Sequence, residues 1–233
     1  MNYKRILITG GCGFIGSNFI NEILSNNKNL TLANVDCLTY AGRKNNISDF
    51  MNLDNFHFFK SNIIDNNKIG KIFRDFKPEL VINFAAESHV DNSITNPNIF
   101  VETNVIGTLN LLNHSLENNV KLFVQVSTDE VYGDLSLDDA PFEEDHPIQP
   151  SSPYSASKAA ADHLVMSYNR TFNLNTIITR CSNNYGPHQL PEKLIPVIIQ
   201  KASSNQSIPV YGDGKNVRDW IHVSDHCKGI INS

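Results

Sequence analysis

Cysteine is scarce: the four residues Cys12, Cys37, Cys181 and Cys227 lie far apart in a chain of 233 and form no C-x-x-C pair or zinc-type cluster. A disulfide framework is therefore not expected, and the thiols read as reduced groups of a cytoplasmic protein. No run of about 18 apolar residues occurs, so no membrane span is expected. The opening residues MNYKR lead straight into a short strand-like run. They lack the longer apolar stretch and small-residue cleavage site of a secretory leader, and none is expected. An excess of positive charge is also missing. Nineteen Lys and Arg stand against 24 Asp and Glu, a net charge of -5, so no global basic footprint for nucleic acid exists. Apolar residues at 40% and charged residues at 18% exclude a disordered or collagen-like polymer. There are no repeats and no low-complexity tract.

What is present is an alternation. Short apolar runs at residues 5–9, 30–35, 57–60, 80–84 and 122–126 are separated by helical patterns at 14–26, 44–50, 66–76 and 98–117. Strand and helix in strict alternation predict parallel βαβ units, and strands apolar along their whole length predict helices on both sheet faces. Residues 133–152 are polar, acidic and proline-containing, the texture of a solvated loop. A helix is predicted over 153–172, capped by Ser151 or Ser152 with Pro153 at its first position, followed by a sixth strand at 176–180. Beyond Pro187 the rhythm stops, leaving a helix near 192–203 and extended runs at 208–211 and 218–223. The expected fold class is α/β: a Rossmann-type doubly wound parallel sheet over residues 1–182, with 183–233 as the start of a smaller C-terminal substrate domain.

The motif between the first strand and the first helix reads TGGCGFIG, with Gly10, Gly13 and Gly16 spaced G-x-x-G-x-x-G. Such a turn lets backbone approach a pyrophosphate at a helix N-terminus. Glycine turns end many strands; its place in a βαβ unit is what points to a dinucleotide. Asp36 ends the second strand, 20 residues after Gly16. A carboxylate there can hold a ribose 2′-hydroxyl and repels a 2′-phosphate, which predicts NAD over NADP.

Tyr154 and Lys158 stand four apart, on one face of the predicted helix. An ammonium beside a phenol stabilises the phenolate, so Tyr154 is expected to fall below its ordinary value of about 10 and to act as a base during hydride transfer. Thr128, Asp129 and Glu130 follow the fifth strand, at the carboxyl edge where parallel sheets bind ligands. Adjacent carboxyls in an irregular turn can differ in pKa, as one proton donor and one acceptor require; standing alone, the pair would be an acidic loop tip.

Together these stretches resemble the extended short-chain dehydrogenase/reductase superfamily and, within it, the dTDP-glucose 4,6-dehydratase family. The resemblance runs along essentially the whole chain, through TGGCGFIGSNF, NVDCLTYAG, NFAAESHVDNSI, ETNVIGT, STDEVYGD, SPYSASKAAADHLV, CSNNYGP, PEKLIP and the segment around VRDW. STDEVYG is the most discriminating, because epimerase relatives place small residues where Asp129 and Glu130 stand. LTYAG points to a deoxythymidine sugar nucleotide.

The resemblance implies NAD as cofactor, held by the glycine turn with Phe14 and Ile15, by Asp36, Cys37, Leu38 and Thr39 around the adenosine ribose, and by Asn62 and Ile63 at the adenine. Phe84, Ala85, Ala86, Glu87, Ser88 and Thr103 would line it, with Tyr154, Lys158 and Asn184 beside the nicotinamide ribose. For the sugar nucleotide it implies Ser88, Thr128, Asn183, Lys193, Leu194, Pro209, Val210, Tyr211 and Arg218. It further implies oxidation at C4 with Tyr154 as base, loss of water with Glu130 taking the C5 proton and Asp129 protonating the C6 hydroxyl, and hydride return to C6. It implies no metal, and a homodimer through the helices at 98–117 and 153–172. His222, Asp225 and His226 have a metal-like spacing but would fall at a strand-to-helix junction with structural roles, and His89 would be a positioning residue near the cleft. Two features depart from the family. Asn62 stands where Asp is usual, and the family continues well beyond Ser233. A UDP-sugar epimerase or decarboxylase of the same superfamily, or a weakly catalytic NAD-binding fragment, are the alternatives.

Overall fold

The computed structural model describes residues 3–27, 29–136, 138–210 and 212–233. Six strands, β1 (Arg5–Thr9), β2 (Thr31–Asp36), β3 (Phe56–Lys60), β4 (Leu80–Asn83), β5 (Leu122–Thr128) and β6 (Thr176–Cys181), form one parallel sheet in the order β3-β2-β1-β4-β5-β6. The order reverses between β1 and β4, and this reversal opens a crevice at the carboxyl ends of the strands.

Side-chain alternation along each strand builds two cores. Ile6 and Ile8 of β1 join Phe19, Ile20, Leu32, Val124 and Val126 on one face, while Leu7 joins Ala33, Val35, Phe73, Leu111, Phe123 and Val165 on the other. Each such fully buried aliphatic or aromatic side chain contributes roughly 1.5–3 kcal/mol. The first face is covered by α1 (Phe14–Asn26) and α8 (Val223–Asn232), the second by α2 (Asn66–Phe76), α5 (Thr108–Glu117) and α6 (Pro153–Phe172).

Helix boundaries follow local chemistry. The Asp65 carboxylate accepts the Lys68 N–H at the start of α2, and the helix ends where Lys77 turns to φ 49°. Ser152 and Ser155 cap each other reciprocally at the start of α6, with Pro153 in the first turn, and Asn173 ends it at φ 57°. The helix expected over 98–117 is interrupted. After α3 (Val90–Thr95), α4 (Pro97–Phe100) leads into a π-helical stretch, Val101–Gly107, before α5. That wider turn carries Asn104, whose side chain accepts the Glu87 N–H at 2.9 Å and donates to the Glu87 carbonyl at 3.0 Å and to Ser157 Oγ at 2.8 Å. One buried amide thereby fixes the loop after β4 against α6.

Past β6 the chain forms β7 (Asn183–Tyr185), α7 (Leu194–Ser203) and β8 (Trp220–His222), with β7 and β8 paired in parallel. Helix α8 then returns to the first core through Val223, Cys227 and Ile230. The extended run expected at 208–211 forms no strand over 208–210, and Tyr211 lies outside the described residues. Ile208 and Val210 are exposed there, so the run lacks an apolar face to pack against.

Candidate active site

A cleft of about 610 Å³ occupies the carboxyl ends of the parallel strands. One end is made by the turn after β1. Gly10 has φ 71°, and a Cβ there would stand 2.7 Å from the Ala85 backbone nitrogen; a Cβ on Gly16 would stand 2.5 Å from the Gly10 carbonyl. No side chain caps the first turn of α1 at Gly13, so its backbone N–H groups remain for a ligand. Asp36 closes this end. Its two oxygens accept the Cys12 N–H at 2.9 Å and the Leu38 N–H at 2.8 Å, and a carboxylate oxygen has lone pairs to spare for a ribose hydroxyl. Bare backbone donors at a helix N-terminus, a glycine cradle and a strand-end carboxylate are the donor set of a dinucleotide site, and these residues fit one.

The cleft gathers Gly10, Gly13, Phe14, Ile15, Gly16, Asp36, Cys37, Thr39, Asn62, Ile63, residues 84–88, Thr103 and Asn184 from the expected cofactor set. It also gathers Thr128, Asp129, Glu130, Tyr154, Lys158, Asn183, Lys193, Leu194 and Arg218. Leu38 is not among its walls. At φ 58° it reverses the chain and packs its side chain on the first core. Pro209 and Val210 also lie outside, on the exposed segment that forms no strand, with Val210 71% exposed. Ser61, Ile64, Gly42, Ser127, Cys181, Gln189, Leu190 and Trp220 are among the further wall residues that the sequence did not point to. Ser127 and Cys181 had a signal, since both end parallel strands at the ligand edge. Gln189 and Leu190 had none: a loop reaches the site only through its tertiary path.

At the turn after β5, Thr128 is buried, Asp129 is half-buried and Glu130 is exposed at the cleft. Burial raises the Asp129 and Glu130 carboxyls above their ordinary values, Glu130 further through the neighbouring Asp129 charge, while Arg218 pulls both down. Thr128 orders the pair, donating to Asp129 Oδ1 at 3.2 Å and accepting the Glu130 N–H at 3.2 Å.

Tyr154 does not show the expected depression. Burial first, then the Glu130 charge, push its phenol above the ordinary value, and the Thr128 hydroxyl works in the other direction. Desolvation governs this phenol, which is only 9% exposed, and outweighs any help from the ammonium four residues on. Lys158 is itself buried, which pushes it down, and its Nζ donates to the Val126 carbonyl at 2.7 Å.

The remaining expected groups are held by specific partners. The Asn184 amide donates to Ser182 O at 3.1 Å and pairs with His226 Nδ1 at 2.9 Å. His222 Nδ1 pairs with Ser224 Oγ at 2.7 Å at the start of α8, and His89 Nε2 lies 3.8 Å from Glu192. Burial keeps Cys12 and Cys227 at about 12 and Cys181 at about 11, so these thiols are not nucleophiles near neutral pH.

Comparison with known proteins places this architecture. The chain is 48% identical to the low-salt glycan biosynthesis protein Agl12 of Haloferax volcanii, over 97% of the chain and 71% of that protein. It is 47% identical to a dTDP-glucose 4,6-dehydratase of Xanthomonas campestris pv. campestris, over 96% of the chain and 66% of that enzyme. The chain thus spans about two thirds of the length of such relatives. A crystal structure of dTDP-glucose 4,6-dehydratase from Bacillus anthracis in complex with NAD superposes with a TM-score of 0.90 at 45% identity, covering 98% of this chain and 70% of that one. The family model described as GDP-mannose 4,6 dehydratase matches residues 7–233. By these matches the chain belongs to the GDP-mannose 4,6 dehydratase family of the extended short-chain dehydrogenase/reductases, among its dTDP-glucose 4,6-dehydratases.

Proposed function

We propose that the chain carries the cofactor half and reactive centre of an NAD-dependent dTDP-glucose 4,6-dehydratase. The observation that carries this reading is the convergence of Asp129, Glu130 and Tyr154 on one cleft, with both carboxyls raised by burial. Removing water across C5–C6 needs an acid and a base in addition to the group that takes the C4 hydroxyl proton, whereas C4 epimerisation needs only the latter. NAD, when bound, supplies the hydride acceptor for C4 and the hydride donor for C6.

Tyr154, as a phenolate stabilised by the Lys158 ammonium, accepts the C4 hydroxyl proton and becomes a neutral phenol. Glu130 takes the C5 proton, acidified by the adjacent ketone, and Asp129 gives its proton to the departing C6 hydroxyl. Thr128 orients both carboxyls, and its hydroxyl lies where it can hydrogen-bond near C4. Lys193 and Arg218, the cations lining the sugar-nucleotide end beyond Lys158, pair with the diphosphate, for which a guanidinium fork is well shaped. Phe14, Ile15, Asp36, Asn62 and residues 84–88 hold the dinucleotide. Residues 1–182 form the cofactor domain in this reading, and 183–233 belong to the substrate domain.

The reading includes a homodimer through α5 and α6, supported by the exposed apolar side chains Val101, Ile106 and Phe172 on these helices and the stretch before them. It also includes a cytoplasmic setting, supported by free cysteines at all four positions. Among the described residues no helix is long and apolar enough to cross a membrane.

The test is incubation of the protein with dTDP-glucose and separate UDP-glucose, with products read by mass spectrometry. A 4-keto-6-deoxy product, lighter than substrate by one water, supports the reading. A C4 epimer alone overturns it. Titration with dTDP separates a competent sugar-nucleotide site from a chain that binds NAD only.

A further inference from the structure

One fully buried carboxylate has no part in the scheme above. Asp162 is 0% exposed, and with Tyr154 and Lys158 it continues a stripe of i, i+4, i+8 positions along α6. Its Oδ2 accepts from Arg180 Nε of β6 at 3.0 Å. Arg180 Nη1 donates to the Tyr132 hydroxyl at 2.7 Å, and the guanidinium carbon lies 4.9 Å from the centre of the Tyr132 ring. Tyr132 in turn donates to the Glu144 carbonyl at 3.3 Å, which anchors the whole assembly in the loop before α6. Asp162 Oδ1 has no hydrogen-bond partner among the described residues, and neither has the buried Ser127 Oγ at the end of β5. A buried carboxylate satisfied on one oxygen only is expensive, and apolar side chains of equal volume would fill the space at lower cost. One helical turn from the buried Lys158 on α6, Asp162 stands where its charge acts on that ammonium.

We propose that Asp162, clamped by Arg180, is a positioning residue for the Tyr154–Lys158 pair: its carboxylate keeps Lys158 charged in its buried seat, so that a cation and not a neutral amine backs the phenol. This rests on the reading of Tyr154 as the base. Burial opposes the charge on Lys158, and Asp162 is the largest influence that favours it, followed by Cys181; burial likewise raises the Asp162 carboxyl, and Lys158, the Ser127 hydroxyl and Arg180 favour its charged form in turn. The titratable groups that act on Lys158 are Asp162 on its own helix and Cys181 on β6; Arg180 on β6 pairs with Asp162, and Asp129 and Glu130 on the turn after β5 act on Tyr154, one helical turn before Lys158. The π-helical stretch and α4 bring Asn104 and Phe100 against this part of α6, neither of them charged. Among the described residues no direct ion pair joins Lys158 to Asp162, so the carboxylate acts through the field across the buried stripe.

The test reads the Lys158 side chain directly. Protein labelled with 13C at lysine Cε is titrated by NMR, with the Lys158 signal assigned by its loss in Lys158→Met. Asp162→Asn should lower the Lys158 midpoint by at least about one pH unit, a tenfold loss of proton affinity, the lower end of the effect of a nearby opposite charge. Because Asp162→Asn strands Arg180, the double variant Asp162→Asn with Arg180→Met removes both charges; its midpoint should still fall below the wild type, by less than in the single variant, because the Arg180 cation no longer opposes the Lys158 charge. Asp162→Glu should restore the wild-type midpoint. A folded single or double variant whose Lys158 titrates as in the wild type overturns the proposal. The titration needs neither substrate nor NAD. Failure of the wild-type protein to dehydrate dTDP-glucose would therefore overturn the functional reading separately.

Discussion

The Asp36 carboxylate at the end of β2 accepts the backbone N–H of Cys12 at 2.9 Å, joining the ribose end of the cleft to the glycine turn. In the proposed reading, the residue that would hold the adenosine ribose is thus also a strut of the glycine turn. Asp36→Ala removes two charge-assisted hydrogen bonds at once. Expected outcomes are an NAD affinity reduced by about tenfold or more and a stability loss of about 2 kcal/mol. Calorimetric titration with NAD and urea unfolding check the two parts, and Asp36→Asn should fall between, because an amide offers only one acceptor.

Gly16→Ala is expected to abolish NAD binding and to cost about 1–3 kcal/mol, because its Cβ would meet the Gly10 carbonyl at 2.5 Å and the Gly11 Cα at 2.8 Å. Gly229→Ala is the contrast. Nothing lies within 4 Å of a Cβ at that α8 position, so the change should stabilise by about 0.5–1 kcal/mol. Thermal unfolding of both variants, with and without NAD, decides.

Glu79 binds the Lys4 N–H at 2.6 Å, the Arg5 N–H at 3.3 Å and Lys121 Nζ at 2.7 Å, tying the starts of β1 and β5 together. The Lys121 ammonium and the two backbone donors hold its carboxyl down to about 2. A folded-state value below the unfolded one near 4.3 means that the stabilisation is complete above that pH and is lost as pH falls towards 2. Glu79→Gln should therefore cost about 1 kcal/mol at pH 7, given partial solvent screening, and close to nothing at pH 2. Urea midpoints across that range measure it.

His226 has the depressed value of a buried base, about 4, caused by desolvation. The unfolded chain takes up its proton first, so stability is fully present above about 6.5 and falls as pH drops towards 4. His226→Gln keeps a donor for Asn184 but cannot titrate. It should flatten the melting temperature over this window, removing an acid loss of about 2 kcal/mol. Unchanged pH dependence in the variant would refute the assignment.

Asp129→Asn with Glu130→Gln removes both proton-transfer groups without changing side-chain size. Water loss from dTDP-glucose should fall at least about 100-fold, while NAD binding stays within about threefold of the wild type. Product analysis and NAD titration separate the two effects.

The strands and helices of the sheet were legible because each carries its own periodicity. Residues 14–26, 66–76 and 153–172 coincide with α1, α2 and α6, since apolar spacing, caps and breakers act within a few residues. Residues 208–211 misled for the same reason. A β-branched run next to glycine has the local signature of a strand, but strand formation needs a partner edge, and 208–210 meets none. Leu38 and Val210 show the matching limit at the site: sequence adjacency to a motif does not say which way a side chain turns.

Composition, periodicity and the glycine, YSASK and STDEV motifs sufficed by themselves for the fold class and pointed to the glycine turn and to Thr128, Asp129, Glu130, Tyr154 and Lys158, which line one cleft, because those features are encoded in short spacings. Tertiary structure alone decided the electrostatics. Whether Tyr154 is lowered by Lys158 or raised by its surroundings depends on how much water is excluded and on the neighbours that burial supplies, here Glu130. The Asp162–Arg180–Tyr132 chain behind it was equally invisible in sequence. Its members come from a helix, a strand and a turn, and only the packing of α6 on β5 and β6 brings their charges within reach of one another.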